Sequence, residues 1–436
     1  MQRTIEEINE KISNGNVKVL TASELCNSIR DGEKIGIEDV DVVTTATRGL
    51  MSGTFALLSI KFTKEGVFQK AKSILLNGVP GFIGPCPNER LGIVECIIYG
   101  PEKSIKDPKK YGGGHLFRDI VEGKDIKCEL TTTEDKVIEK DINKDDFEYA
   151  KLIASRNAFR NYMAFINKSE DLVNTIFHVK EFPGPYKEIT VSGCGEINPL
   201  EKDPDLLTIG IGTRVLVNDA IGYVIDRGTR SSANKPNLSV IANLLDMNPE
   251  YMGGFITSAG PEVINSVAIP IPVLNEKILE NLKKLDEEIH LPIADIHDRK
   301  PFADSDYGKV WQNTDLVIKV NFDLCDQPRS LCIPWSEVNR RRRPCIILDL
   351  CPMRPYMFNE NNEYDTKHCF HCGTCLACPL GVFKAELGSI EVDGHDVPIR
   401  LRQSDRCGAV KLSISLKKKI LKGEFLLTNA VEKIKF

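Results

Sequence analysis

The stretch VDVVTTATRGLMSGTFALLSIKF, residues 40–62, reads as two apolar segments joined by a glycine-bearing turn. Its β-branched run from Val42 to Thr47 suits a pleated, buried strand that is expected to end near Arg48. Upstream, MQRTIEEINEKIS reads as a helix broken by NGN, and TASELCNSIRDG begins a second one. Thr21 and Glu24 there have the spacing of a capping box.

Downstream, glycine punctuates the chain in NGVPGFIGPCP, YGGGH, VSGCGE, TIGIGTRVLVNDAIGYVIDRGTR and YMGGF. Such runs let backbone N–H groups approach an anion, or simply make tight turns between short strands. TIGIGTRV lacks the third glycine of a dinucleotide fingerprint, and no G-x-x-x-x-G-K-[ST] occurs, so a nicotinamide or ATP site is unsupported.

The 436 residues exceed one ordinary core and imply two or three domains. With 42% hydrophobic and 27% charged residues the composition is globular. A net charge of -5 and a pI near 5.9 argue against nucleic acid as a partner, because binders of phosphate backbones collect excess Lys and Arg. The N-terminus lacks the apolar core of a secretory signal and no apolar run reaches membrane-spanning length, so a cytoplasmic protein without a membrane partner is expected.

Fourteen cysteines are present, and nine of them fall between Cys325 and Cys407. That shift places a junction around the polar stretch DIHDRKPFADSDYGK, read as linker. The expected organisation is an α+β, mixed α/β large domain over 1–305 and a small cysteine-rich, ferredoxin-like iron–sulfur domain over 312–436. Within the latter, DLVIKVNF and RPCIILDL read as strands and CGAVKLSISLKKKILKGEFLL as a closing amphipathic helix.

HCFHCGTCLACPLGVF, residues 368–383, carries Cys369, Cys372, Cys375 and Cys378 at two-residue intervals before a proline. Thiolates at this spacing wrap a loop around one centre and suit a 4Fe-4S cluster, although ferredoxins leave one more residue before the final Cys-Pro. The fourth ligand is therefore Cys378 or a distant thiol, with Cys407, Cys351 and Cys345 as candidates. Zinc is the alternative, but structural zinc sites usually split into two knuckles a dozen or more residues apart.

Cys194, between two glycines, is a candidate reactive thiol, since turn N–H groups lower a thiol pKa; the alternative is a buried filler. Cys86, held between prolines, is a structural turn first and a catalytic thiol second. Cys26, Cys96 and Cys128 read as packed. His115 follows three glycines and is a candidate general acid. Arg214 and Arg230, each after Gly-Thr, fork onto an anion or lie on the surface. The run Arg340 to Arg343 is a solvated face or a dock for an acidic electron donor.

Several long motifs, GIEDVDVVTTATRGLMSGTF, LNGVPGF, YGGGHLFRDIVEGKDI, SRNAFRNYMAF, SGCGEINPLEKDPDLLTIGIGTRVLVNDAIGYVIDRGT and VAIPIPVLNEKI, occur in order between residues 36 and 278. Together they resemble the homocysteine-biosynthesis family of archaea and anaerobic bacteria. With the cysteine run attached, the chain is similar to the branch called methanogenesis marker 16 metalloproteins.

The resemblance implies a sulfurtransferase that joins sulfide to a small aldehyde, with a sulfide donor and a low-potential electron donor as partners, and it admits a homo-oligomer. It also implies a departure: where the family carries a cysteine in its first motif, this chain has Ser52. The expected reaction is reductive thiolation of an anionic aldehyde, first sulfoacetaldehyde to coenzyme M. Homocysteine formation from aspartate semialdehyde and a non-catalytic iron–sulfur protein are the alternatives. In this reading Gly113, Gly114, Gly212, Arg214 and Arg230 bind substrate and Cys194, Cys86 and His115 carry chemistry. Cys369, Cys372, Cys375, Cys378 and Cys407 hold the metal.

Overall fold

The structure, a computed structural model, describes residues 2–84, 86, 88–324, 347, 350–357 and 365–436. The opening stretch forms strand Val42–Leu50, a turn at Ser52 and Gly53, and strand Thr54–Lys61. Val42–Leu50 is buried along its length except at Leu50, and its buried Thr44 and Thr45 hydroxyls donate to the Ser413 and Ile269 carbonyls. It pairs antiparallel with Gly260–Pro272 from Leu50↔Ile264 to Val42↔Pro272, and parallel with Val19–Thr21. Thr54–Lys61 instead alternates buried and half-buried residues, the mark of a sheet covered on one side.

These strands belong to one large, mainly antiparallel sheet of fourteen strands among the described residues. It runs from Val19–Thr21 through Val42–Leu50, Gly260–Pro272, Arg214–Val217, Ala220–Arg227, Leu238–Asn243, Phe147–Asn157 and Thr54–Lys61, then through a meander to Val137–Ile142. The Leu76 to Val79 hairpin turns on Asn77 and Gly78, with φ of 48° and 76°, the pair a two-residue turn demands.

Helix Arg406–Leu421 lies on this sheet. Asp405 caps it by accepting from the Gly408 N–H at 3.0 Å, and the Thr44 hydroxyl meets the Ser413 carbonyl at 3.0 Å. Leu412, Leu416 and Ile420 are fully buried, each worth about 1.5–3 kcal/mol of transfer free energy. The expected closing helix is thus present, as is the capping box at Thr21, whose side chain accepts from Glu24 N–H at 3.1 Å.

A second, six-stranded sheet orders Pro301–Asp306, His290–Asp295, Ala164–Ile166, Ile189–Val191, His395–Arg402 and Ser389–Val392. It takes strands from both sides of the division expected at 305 to 312. The stretch PFADSD, read as linker, is its edge strand, polar because only one side is paired. Of DLVIKVNF only Lys319–Val320 is strand, paired with Phe383–Lys384. RPCIILDL, Cys325, Cys332, Cys345 and the run Arg340 to Arg343 lie outside the described residues apart from Ile347 and Leu350. The mixed α/β class holds for the sheet-rich body; a separate ferredoxin-like unit is not delineated among the described residues. The cysteine run is a loop with a short 3-10 turn, Thr374–Ala377.

Candidate active site: an arginine-lined cavity beside a group of thiols

Where the two sheets meet, a cavity of about 390 Å³ opens. Its wall is drawn from widely separated segments, among them the Thr47 to Gly53 turn of the opening stretch, Ser155 to Tyr162, Ser192 and Gly193, the Arg230 turn, the Arg299 turn, and Gln403 with Ser404. The sheets are stitched together here by the Gly49↔Ser404 bridge and by the Gly193 N–H donating to Ser404 Oγ at 2.8 Å.

Three guanidiniums line this wall. Arg156 stacks on the Phe159 ring at 4.9 Å and Arg299 on the Phe177 ring at 4.9 Å. Burial, and then the charge of Arg230, hold Arg156 below the usual arginine range. The one carboxyl on the wall is Glu262, 5% exposed. Burial raises it above the ordinary carboxylate range, against a hydrogen bond with Ser52. Among the described residues its Oε2 has no hydrogen-bond partner.

Cys194 sits directly behind this wall. Its turn requires glycine on both sides: Gly193 and Gly195 have φ of 128° and 65°, and an added Cβ would meet Tyr307 Oη at 2.4 Å or Asp286 Oδ1 at 2.0 Å. The thiol is fully buried and donates toward the Arg48 carbonyl at 3.6 Å, with the Thr47 hydroxyl at 3.7 Å. Thr47, which lines the cavity, therefore stands beside the thiol on the side of the pocket. Burial pushes the thiol up to about 11, so the thiolate is scarce near neutrality.

On the other side of Leu50, four thiols gather. Cys351, Cys369 and Cys372 pack with Phe255, Ile264, Met353, Tyr356, Phe370 and Leu401, and Leu50 belongs to both this cluster and the cavity wall. The thiols feel one another: burial first, then Cys372 and Cys369, raise Cys351, and burial, then Cys372, Cys351 and Cys369, raise Cys375. Burial likewise pushes Cys369 up to about 12. The His371 N–H donates to Cys369 Sγ at 3.3 Å, Thr374 Oγ1 lies 3.3 Å from Cys372 Sγ, and the Arg402 N–H donates to the Cys372 carbonyl at 2.8 Å.

Cys351 is thus the distant thiol that joins the run. Cys378 packs instead with Cys375 against Ile318, Val382 and Phe383, and the charges acting on Cys407 are those of Asp405, Lys411 and Arg48.

The remaining candidates lie elsewhere. His115 is buried between the rings of Tyr111 and Tyr356, at 5.4 and 6.0 Å, with neither ring nitrogen bonded among the described residues. Burial drives it down to about 3, so it is a neutral imidazole at physiological pH. Gly113 and Gly114 let their helix touch the sheet: a Cβ would stand 2.1 Å from the Tyr99 carbonyl or 2.9 Å from that of Gly253. Gly212 turns beside Val431, and Arg214 stacks on Phe425 at 4.9 Å. Cys86 is exposed, while Cys26, Cys96 and Cys128 are packed in the core. Of the expected substrate-binding residues, only Arg230 is on the cavity.

The family model described as "Homocysteine biosynthesis enzyme, sulfur-incorporation" matches residues 17–427, across both sheets, the cavity and the cysteine loop. The chain belongs to this family. The resemblance read from its motifs is thereby borne out, and with it the expectation of a sulfurtransferase enzyme.

Among relatives, an uncharacterised protein of Methanothermobacter thermautotrophicus is 42% identical over 429 residues, covering 98% of this chain and 95% of that one. An uncharacterised protein of Methanocaldococcus jannaschii is 41% identical over 413 residues, 94% and 98% of the two chains. The L-aspartate semialdehyde sulfurtransferase of Methanocaldococcus jannaschii is 35% identical over 352 residues, 76% of this chain and 66% of that one. No solved structure matches. Three of the motifs that carry the family resemblance, those at residues 36–55, 155–165 and 192–229, contribute to the cavity wall, with Ser52 on it. No described helix is long and apolar enough to cross a membrane.

Proposed function

We propose that this member of the sulfur-incorporation family performs reductive thiolation of a small anionic aldehyde, and that Cys351, Cys369, Cys372 and Cys375 hold an iron–sulfur cluster that serves it. The observation that carries the reading is contiguity: one residue, Leu50, lines the cationic cavity on one side and packs against the thiol group on the other.

In the reaction, sulfide adds to the carbonyl carbon, a C–S bond forms and the carbonyl π pair moves to oxygen, which takes a proton to give a thiohemiacetal. Loss of that hydroxyl as water leaves a C=S bond. Two electrons and two protons, the electrons from a low-potential donor, then reduce it to the thiol. The cavity residues hold the anionic end and exclude bulk water on the sheet side. Glu262, whose buried carboxyl holds its proton to higher pH than an ordinary carboxylate, is the wall residue proposed to pass a proton to the carbonyl oxygen.

The donor set fits a cluster. Cys372 is buried and Cys351, Cys369 and Cys375 are half-buried; the first three pack in one apolar shell and Cys375 beside a second, while the His371 N–H donates to Cys369 Sγ and Thr374 Oγ1 lies 3.3 Å from Cys372 Sγ. When bound, such a cluster supplies one-electron transfer. Zinc fits less well: at about 2.3 Å from sulfur it draws tetrahedral thiolates to about 3.8 Å of one another. Among the described residues no three His, Cys, Asp or Glu side chains stand as a ready-made site for a metal ion, so the loop would have to close around either centre.

The preferred substrate is sulfoacetaldehyde, giving 2-mercaptoethanesulfonate, since the cavity offers guanidiniums and Ser52 replaces the thiol expected of a homocysteine former. The second reading, homocysteine from aspartate semialdehyde, is favoured by the names of the relatives. Anaerobic incubation of reconstituted protein with either aldehyde, sulfide and a low-potential reductant tests both. Thiol product above a protein-free control is expected, and its absence with both aldehydes removes the proposal.

A further inference from the structure

Arg156, Arg230 and Arg299 come from three different places in the chain: the end of strand Phe147–Asn157, the turn after Ala220–Arg227, and the turn after His290–Asp295. All three nevertheless line the same cavity. None of them forms an ion pair with a carboxylate among the described residues. Arg156 and Arg230 are close enough for one charge to depress the other's pKa, and the Nε of Arg156 is buried without a hydrogen-bond partner.

Ring faces fix two of the planes, those of Phe159 and Phe177. Arg230 and Arg299 are also held at φ of 56°, a backbone region that side chains other than Asn and Asp rarely occupy. Gathering like charges without a counter-ion is unfavourable for the empty protein, and an oxyanion seated between them offsets it.

The rest of the wall decides what else the ligand carries. An ammonium group needs a carboxylate, or several carbonyls, facing it. Among the described residues the only carboxyl on the wall is Glu262, one buried acid against three guanidiniums, hydrogen-bonded to Ser52 with its Oε2 unpartnered. The other polar side chains there are hydroxyls and amides of Thr47, Ser155, Ser192, Asn161, Asn198 and Gln403.

We infer that Arg156, Arg230 and Arg299 form a clamp for a strong oxyanion, and that the excess of three guanidiniums over one carboxyl on the wall disfavours ligands bearing an α-ammonium group. The substrate class is then a small aldehyde with a sulfonate-type anion and no amine. This rests on the reading of the cavity as the substrate site and narrows it: an amino-acid semialdehyde carries the charge the clamp repels.

Binding is measurable apart from turnover. Isothermal titration of the full chain, kept anaerobic, with isethionate, 3-hydroxypropionate and homoserine compares a sulfonate, a carboxylate and a zwitterion of similar size. The clamp predicts isethionate tightest and homoserine weakest, by at least tenfold against 3-hydroxypropionate. It also predicts that R156Q and R299Q each weaken isethionate at least tenfold, in proteins whose thermal melting matches the parent. R230Q, on an exposed turn that carries no core, gives the same loss if either of the others fails to fold. Homoserine binding as tightly as 3-hydroxypropionate, or isethionate binding indifferent to all three substitutions, overturns the clamp. Clamp-dependent binding without any thiol product keeps the clamp and removes the reaction. Turnover of aspartate semialdehyde in preference to sulfoacetaldehyde keeps the reaction and removes the clamp.

Discussion

The cavity and the thiol group share one residue, Leu50, yet they are built in opposite ways. Three of the four thiols lie within seven residues of loop, from Cys369 to Cys375, closed in by aromatic and aliphatic side chains. The cavity draws on positions from Thr47 to Ser404 and is charged and open to solvent at Arg230 and Arg299. A group that shuttles electrons gains from a dry, fixed shell, whereas a site that exchanges small ions needs an entrance and cations that are not already paired. The contrast teaches that the two halves of the proposed reaction can be broken separately.

The largest effect is expected from breaking the thiol group. Cys351→Ser or Cys372→Ser should abolish visible absorption and acid-labile sulfide in the reconstituted protein while leaving isethionate binding within twofold of the parent. Cys378→Ser and Cys407→Ser should retain most of both, because Cys378 packs with Cys375 but not with Cys351, Cys369 and Cys372, and the charges acting on Cys407 are those of Asp405, Lys411 and Arg48. Iron and sulfide analysis decides it, and cluster loss on Cys378→Ser with retention on Cys351→Ser would reverse the assignment.

Next in size is the glycine turn that carries Cys194. Gly195→Ala places a Cβ 2.0 Å from Asp286 Oδ1 at a φ of 65°. Overpacking and a left-handed backbone together should cost about 3 kcal/mol or more, seen as a lowered denaturation midpoint. Asp286 also accepts from Arg406 Nη1 at 2.6 Å, so the strain reaches the helix that carries the second sheet onto the first. Leu412→Ala, in the core and away from both sites, should cost about 2–5 kcal/mol with binding unchanged.

A smaller, pH-dependent effect belongs to the cavity alone. Glu262 has a raised folded-state pKa, so the native chain holds this proton to higher pH than the unfolded chain does. Its stabilising effect is complete below the unfolded carboxyl pKa and is lost as pH rises through the folded value. Glu262→Gln should therefore melt near the parent at low pH and above it at neutral pH. Turnover by the parent should fall along the same alkaline limb, which the Gln variant lacks. Melting curves that run parallel at every pH would remove the proton from Glu262.

Cys194→Ala is expected to be the mildest change. The thiol is fully buried beside Thr47, is not among the cavity-lining residues and is protonated near neutrality, so aldehyde thiolation with free sulfide should persist at more than half the parent rate. Loss of activity that added sulfide fails to restore would give that thiol the carrier role instead.

Local patterns were legible in the sequence. The β-branched run at residues 42–47, the Thr21 capping box and the amphipathic closing helix each announce themselves within a few residues. The cysteine spacing announced a thiol-rich loop and left its distant partner open among Cys407, Cys351 and Cys345, because tertiary folding, not spacing, packs Cys351 with Cys369 and Cys372. The cavity left almost no local trace. Arg156 sits in SRNAFRNY among ordinary surface-like residues, and Glu262 in a strand where nothing in the flanking text marks a buried acid. Arg214 follows the same Gly-Thr pair as Arg230 but stacks on Phe425, a contact made by the last residues of the chain. The edge strand Pro301–Asp306 looked like linker because pairing on one side only leaves its side chains polar.

The central claim is that sulfide and an anionic aldehyde meet in this cavity and leave as a thiol. Its most direct test is product analysis after anaerobic incubation of the reconstituted chain with sulfoacetaldehyde, labelled sulfide and a low-potential reductant. Labelled 2-mercaptoethanesulfonate, formed by the parent and lost in both R156Q and Cys351→Ser, is the predicted result. No labelled thiol above the protein-free control, or equal yields from all three proteins, would contradict it.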